Sequence, residues 1–471
     1  MLDFEFNESE EHPEHSDIRE LVADFERRLR EDAEAYFEPE MLEEVTGFYM
    51  EQGRFEDALL AIDRLLKLYP FAPDAWFRKG VVLNLLDRFE EALEAFEHAR
   101  SLNPFDSEVL VGTAIALDHL GRRKEALDLF EEAVALDPHN DELIFNWGIT
   151  LERMGHTEEA IEKFEACARL NPEHPDVWYE LGFCYELLGE LDKSLACYER
   201  QLDIDPYATN AWYNRGIILG RLGRHSEALA SYDYALLIQE DFSSAHYNKA
   251  NTLLQLGQLD EALKHYQEVL KIEGDDAPTY HNMGIIYLEK ASHEEALDYF
   301  LKAIRTDPEH ADTWHELGTC YELMDRMDAA LRCYKRAVSL RPYMATFWYS
   351  LGDCHYHMDH LEEAIEAYRQ VVRLSPNAPE GWIDLADTYT EAGYYEEALK
   401  SLHHALRIKP QDGHLYFQEA RILFKLGRHE EALEAIRTAF LIDPEQKNVF
   451  RRLFPELSKD KGVQKLLGLD S

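Results

Sequence analysis

The chain has 471 residues, 46% of them hydrophobic, and carries 93 acidic against 48 basic side chains for a net charge of −45. Such a balance lacks the lysine and arginine footprint that phosphate binding needs, which argues against nucleic acid and anionic membrane as partners and favours a basic partner through long-range attraction. No stretch reaches the roughly 18 uninterrupted apolar residues of a membrane span, and no basic patch precedes an apolar core, so the sequence predicts a cytoplasmic protein without a signal peptide.

Residues 1–15 read as an acidic disordered tail. Residues 16–38 are predicted to form a capping helix, because Ile18, Leu21, Val22, Phe25 and Leu29 fall at helical spacing. From Pro39 onward one small residue returns every 34 positions: Ala58, Ala92, Ala126, Ala160, Ser194, Ala228, Ala262, Ala296, Ala330, Ala364, Ala398 and Ala432. Fixed self-similarity at this period marks a solenoid, whose units are stable only when stacked.

Each unit reads as two helices. In the fifth, Trp178, Leu181, Gly182 and Tyr185 share one stripe of the first helix, and Gly189 follows where a helix C-terminus favours glycine. Leu195, Tyr198, Leu202 and Ile204 line the second helix, and Pro206 ends it. Twelve such units span residues 39–446. Residues 447–471 supply C-terminal capping helices through Val449, Phe450, Leu453, Phe454, Leu457, Val463, Leu466 and Leu467, interrupted at Pro455. The predicted class is therefore all-α, an α-solenoid of about twelve helix-turn-helix units with caps at both ends.

At Trp76, Gly80, Ala92, Phe96, Ala99 and Pro104, and again at Trp314, Leu317, Gly318, Tyr321, Ala330, Tyr334, Ala337 and Pro342, the pattern resembles the tetratricopeptide repeat family. Departures are local: Glu240 and Gly274 replace the terminating proline of units six and seven, and His246 replaces the bulky aromatic of unit seven. The resemblance implies a right-handed superhelix with a concave groove lined by the first helix of each pair. It does not extend to the carboxylate clamp of chaperone-binding members, since Tyr213 and Ile217 stand where that clamp places lysine and asparagine; Asn251 matches one element, but its companion is Tyr247.

One residue after the bulky anchor of each first helix runs a mostly aromatic series that includes Phe145, Tyr179, Tyr213, Tyr247 and His281. Four residues further on, Ile217 and Asn251 fall on the same helical face. The resemblance places both rows in the groove. Beside them lie Asn146, Asn214, Asn248 and Asn282, with Glu180 interrupting. An asparagine carries an amide donor and a carbonyl acceptor, so such a series suits the backbone of an extended peptide, and it resembles the asparagine ladder of some long tetratricopeptide superhelices. Asp353, Asp387 and Arg421 make the row polar towards the C-terminus.

No P-loop, dinucleotide fingerprint, zinc-protease motif or nucleophile elbow occurs, so neither catalysis nor a cofactor is expected. Asp353, His357 and His360 are too few and too divergent in direction for a metal centre, and none is expected. The six cysteines include no Cys-x-x-Cys and suit small buried thiols. The sequence thus predicts a scaffold that binds an extended protein or peptide segment in its groove. An acidic holding chaperone or regulator of a basic protein, and a spacer acting through its ends or convex face, are the alternative readings.

Overall fold

A computed structural model describes residues 13–32, 35–453, 455, 457–459 and 463–464. Phe4 and Phe6 of the acidic tail, and Phe454, Leu466 and Leu467 of the expected C-terminal cap, lie outside the described residues. Among the described residues, all regular structure is helical. The chain divides into two compact units, Met1–Glu240 and Asp241–Ser471.

In the first unit, helix Pro13–Glu31 precedes six helix pairs, from Pro39–Glu51 with Phe55–Leu68 to Thr209–Arg221 with His225–Ile238. Phe25 of the leading helix is buried, with its ring centroid 4.8 Å from Phe37 and 6.3 Å from Tyr49, so this helix covers the apolar end of the first pair. The second unit holds six pairs, from Ser243–Gln255 with Leu259–Glu273 to Gly413–Lys425 with His429–Ile442, followed by helix Gln446–Leu453. There Phe450 is buried against Phe440 at 5.8 Å.

The recurring small residue is what lets each pair close. From Ala58 to Ala432, including Ser194, every member of the series is fully buried. Opposite it, in seven of the pairs, the first helix carries glycine where the second helix lays an aromatic ring. A Cβ added to Gly182 would stand 2.8 Å from Tyr198, and one added to Gly284 2.5 Å from Phe300. No side chain fits between these backbones without displacing a ring.

The turn inside each pair is closed by a residue in the left-handed region, glycine in most pairs (Gly189 at φ +75°) but Asp87, Ala291, Asp325 and Asp359 in four. Between pairs, proline does more than end a helix. Its carbonyl accepts the indole N–H of the following anchor tryptophan, as in Trp178 to Pro172 and Trp212 to Pro206, both at 2.9 Å. Glu240 and His246 replace both members of this clamp in the seventh pair, and His246 instead sets Nδ1 2.8 Å from Nδ1 of His265. At Gly274 the preceding helix extends to 15 residues before a φ of +85° ends it.

Candidate partner-binding face of the first helices

All eleven residues singled out for partner binding lie on first helices and are half-buried. They fall into two sets, one in each compact unit.

In the first unit, Phe145 tilts onto Phe164 at 5.6 Å and onto the buried His174 at 4.4 Å. Asn146 turns its amide back to the Glu142 carbonyl of its own helix at 2.7 Å. Asn214 reaches across to the preceding pair, where Nδ2 donates to the hydroxyls of Tyr179 at 3.1 Å and Tyr198 at 3.3 Å. Tyr179 meets Tyr198 edge-on at 5.8 Å, Tyr213 lies 6.3 Å from Tyr232, and Ile217 packs against the same apolar cluster.

The second unit repeats the construction. Asn282 Nδ2 donates to the Tyr247 hydroxyl and to Oδ1 of Asn251, each at 3.1 Å, and Tyr266 donates its hydroxyl to the same Asn251 oxygen at 2.5 Å. Asn248 is half-buried, and its backbone carbonyl accepts from Thr252 Oγ1 at 2.9 Å. His281 lies 5.9 Å from the Phe300 ring, and its Nδ1 is 3.0 Å from Thr313 Oγ1. Burial, helped by neighbouring His310, pushes its pKa down to about 4, so the imidazole is neutral at physiological pH.

The sequence separates an aromatic row from an asparagine row; the structure bonds one to the other. Each such bond joins residues 35 apart, one period plus one: Tyr179 with Asn214, Tyr247 with Asn282, His315 Nε2 with Ser350 Oγ at 2.9 Å, and Tyr349 with Asp384. The amide donor that an incoming peptide would use is therefore already engaged in Asn214 and Asn282. At the two asparagine rungs the asparagine keeps its own Oδ1 as an acceptor and the tyrosine hydroxyl that accepts from it keeps its hydrogen as a donor, whereas Tyr349 donates its hydroxyl to Asp384.

The same face carries carboxylates, of which the sequence singles out Glu180, Asp353 and Asp387 but not Glu152 or Asp384. Glu180 occupies the asparagine position of its repeat, and burial together with the charge of Glu152 pushes its pKa up to about 7. Burial also raises Glu152 above the ordinary carboxylate range. In the second unit burial raises Asp353, Asp384 and Asp387. Tyr368 donates to Asp353 at 2.5 Å, and Gln418 Nε2 to both oxygens of Asp387 at 3.1 Å. Asp353 is thus bonded to a tyrosine while His357 and His360 are exposed, and no cluster of three metal donors occurs among the described residues.

Tetratricopeptide repeat models match residues 49–107, 86–141 and 145–209, and a second such model matches 209–242. Residues 242–451 match the model of the cilia and flagella-associated protein 70 C-terminal domain. No curated protein matches the chain. Among solved structures it is similar to MamA, at 21% identity over 37% of this chain and 96% of that chain with a TM-score of 0.35. It is also similar to YrrB, described as a TPR protein with an unusual peptide-binding site, at 27% identity over 38% of this chain and 92% of that chain, TM-score 0.34. The APC/C hetero-tetramer Cut9-Hcn1 aligns at 13% identity over 92% of this chain and 96% of that chain, TM-score 0.38.

Proposed function

The chain belongs to the tetratricopeptide repeat family, and from that premise we propose that it is a non-catalytic scaffold in which the first-helix face of each compact unit holds an extended segment of a partner protein. What supports the reading is the repeated rung of Asn214 with Tyr179 and Asn282 with Tyr247. At each rung the asparagine carbonyl accepts a peptide N–H and the tyrosine hydroxyl donates to a peptide carbonyl, so the backbone is gripped without regard to its side chains. Phe145, Tyr213, Ile217 and His281 then contact the side chains, with Asn146, Asn248 and Asn251 as flanking polar groups. A reducing cytoplasm suits the six free, buried thiols, and among the described residues no helix is long and apolar enough to cross a membrane.

The test is partner capture from native lysate, read by mass spectrometry, with the parent and an Asn214→Ala/Asn248→Ala/Asn282→Ala variant. Because Asn214 and Asn282 also tie adjacent repeats together, the melting temperature of the variant is measured alongside. A folded variant that loses partners supports the groove; an unchanged partner list moves the function to the outer surface or the ends. The excess of 93 acidic over 48 basic residues favours one competing reading, a holding chaperone or regulator of a basic protein. Salt separates the two: binding through the rungs tolerates physiological ionic strength, whereas binding by net charge collapses under it.

A further inference from the structure

At the turn between the first two helix pairs, the chain leaves large apolar side chains in water. Phe71 is 81% exposed and Tyr69 51%, and in the same turn of the next pair Phe105 is 80% exposed. Phe71 stands beside a cleft of about 640 Å³ formed by the start of helix Pro39–Glu51, the end of Phe55–Leu68 and the start of Pro73–Leu85. This turn is held in place. Trp76 Nε1 donates to the Pro70 carbonyl at 2.9 Å, the Tyr69 amide donates to Leu65 at 2.8 Å, and Pro73 opens the following helix. A fixed apolar knob beside a preformed cleft loses little conformational entropy on binding.

The rim carries sign. Glu40, Glu43 and Asp74 line the cleft, are exposed, and enter no ion pair among the described residues; Arg78 is the one basic residue of the lining. We propose that this cleft and Phe71 form a second docking surface, separate from the first-helix face, for a partner segment that presents an apolar anchor flanked by lysine or arginine. Charge selects that occupant over the two others available. The chain's own first twelve residues hold Asp3, Glu5, Glu8, Glu10 and Glu11 and no lysine or arginine, so the rim repels them. A second copy brings a net charge of −45 and is repelled likewise.

The experiment is fluorescence anisotropy on the full chain at physiological ionic strength with three short dye-labelled peptides. The first carries leucine and phenylalanine anchors with lysine flanks, the second the same anchors with glutamate flanks, and the third lysine flanks with the anchors changed to serine. The expected result is binding of the first alone, weakened about ten-fold by Phe71→Ser and several-fold by Glu40→Gln/Glu43→Gln/Asp74→Asn. Leu237→Ser, which alters another apolar side chain of the same unit at the same 81% exposure, leaves it unchanged. If Phe71→Ser lowers the melting temperature, Tyr69→Ser, at the 51% exposed tyrosine that lines the same cleft, serves as the second variant and weakens the same probe. No binding of the first peptide at millimolar concentration, equal binding of the second or third, or no effect of the Phe71 and Tyr69 variants overturns the proposal. So does tighter binding after deletion of residues 1–12, which identifies the tail as occupant, or self-association abolished by Phe71→Ser, which identifies a second copy.

Discussion

Ala291 occupies, at φ +55°, the turn position that most repeats give to glycine. An L-residue with a Cβ is disfavoured there by roughly 1–2 kcal/mol, while glycine adds about 0.4–1 kcal/mol of unfolded-chain entropy to be lost. The first term is larger, so Ala291→Gly should stabilise the second unit by up to about 1.6 kcal/mol, seen as a higher urea midpoint. Gly182 presents the opposite balance. Alanine gains about 1 kcal/mol in helix propensity, but its methyl would stand 2.8 Å from the ring of the fully buried Tyr198, where overpacking costs about 1–3 kcal/mol. Gly182→Ala should therefore lower stability by up to about 2 kcal/mol, and a neutral or stabilised variant in the same urea titration would show that the ring can move.

At the scale of single helices, two groups on first helices give stability opposite dependences on pH. Glu180 in Val177–Leu187 has a folded pKa of about 7 against a reference of 4.5, so the folded chain keeps a proton that the unfolded chain releases between those values. Stability from this site is present below about pH 4.5 and is lost as pH rises towards 7. Glu180→Gln should raise the melting temperature near pH 8 and leave it unchanged near pH 4. His281 in Ala277–Glu289 is depressed to about 4 from 6.5, so its contribution is present above 6.5 and is lost as pH falls towards 4. His281→Phe should flatten that acid loss, followed by amide exchange of its own helix. Neither dependence is visible in sequence, although the helices themselves are. The 34-residue period, the left-handed turn residues and the terminating prolines all follow from local chemistry that one repeat displays by itself. The half-burial of Glu180 beside Glu152, 28 residues away, and the bond from Asn214 to Tyr179 depend on how a neighbouring helix lies. In the same way, proline announces the end of a helix, but its carbonyl's bond to Trp178 or Trp212 needs the following helix in place.

For the molecule as a whole, two electrostatic effects of opposite sign compete, and their magnitudes decide how it answers to salt. Locally, arginines preceding the second helices hold carboxylates three residues on, as in Arg88 with Glu91, Arg122 with Glu125 and Arg224 with Glu227, each at 2.7 Å. These pairs are solvent-exposed, and such contacts contribute about 0–1 kcal/mol each, which salt diminishes. Against them stands the excess of 93 acidic over 48 basic residues, which leaves many carboxylates without a cationic neighbour and sets up a repulsion over the length of the chain. Screening removes that long-range term beyond about 10 Å at 0.1 M salt, whereas the short contacts inside this distance are only partly weakened. Long-range repulsion should therefore dominate, and the melting temperature should rise as sodium chloride is raised from low to physiological concentration. A fall over the same range would mean that the exposed pairs outweigh the net charge. The sign also bears on function, because the screening that stabilises the free chain weakens a basic partner held by charge alone. A partner that keeps its affinity while the chain gains stability is held by more than net charge.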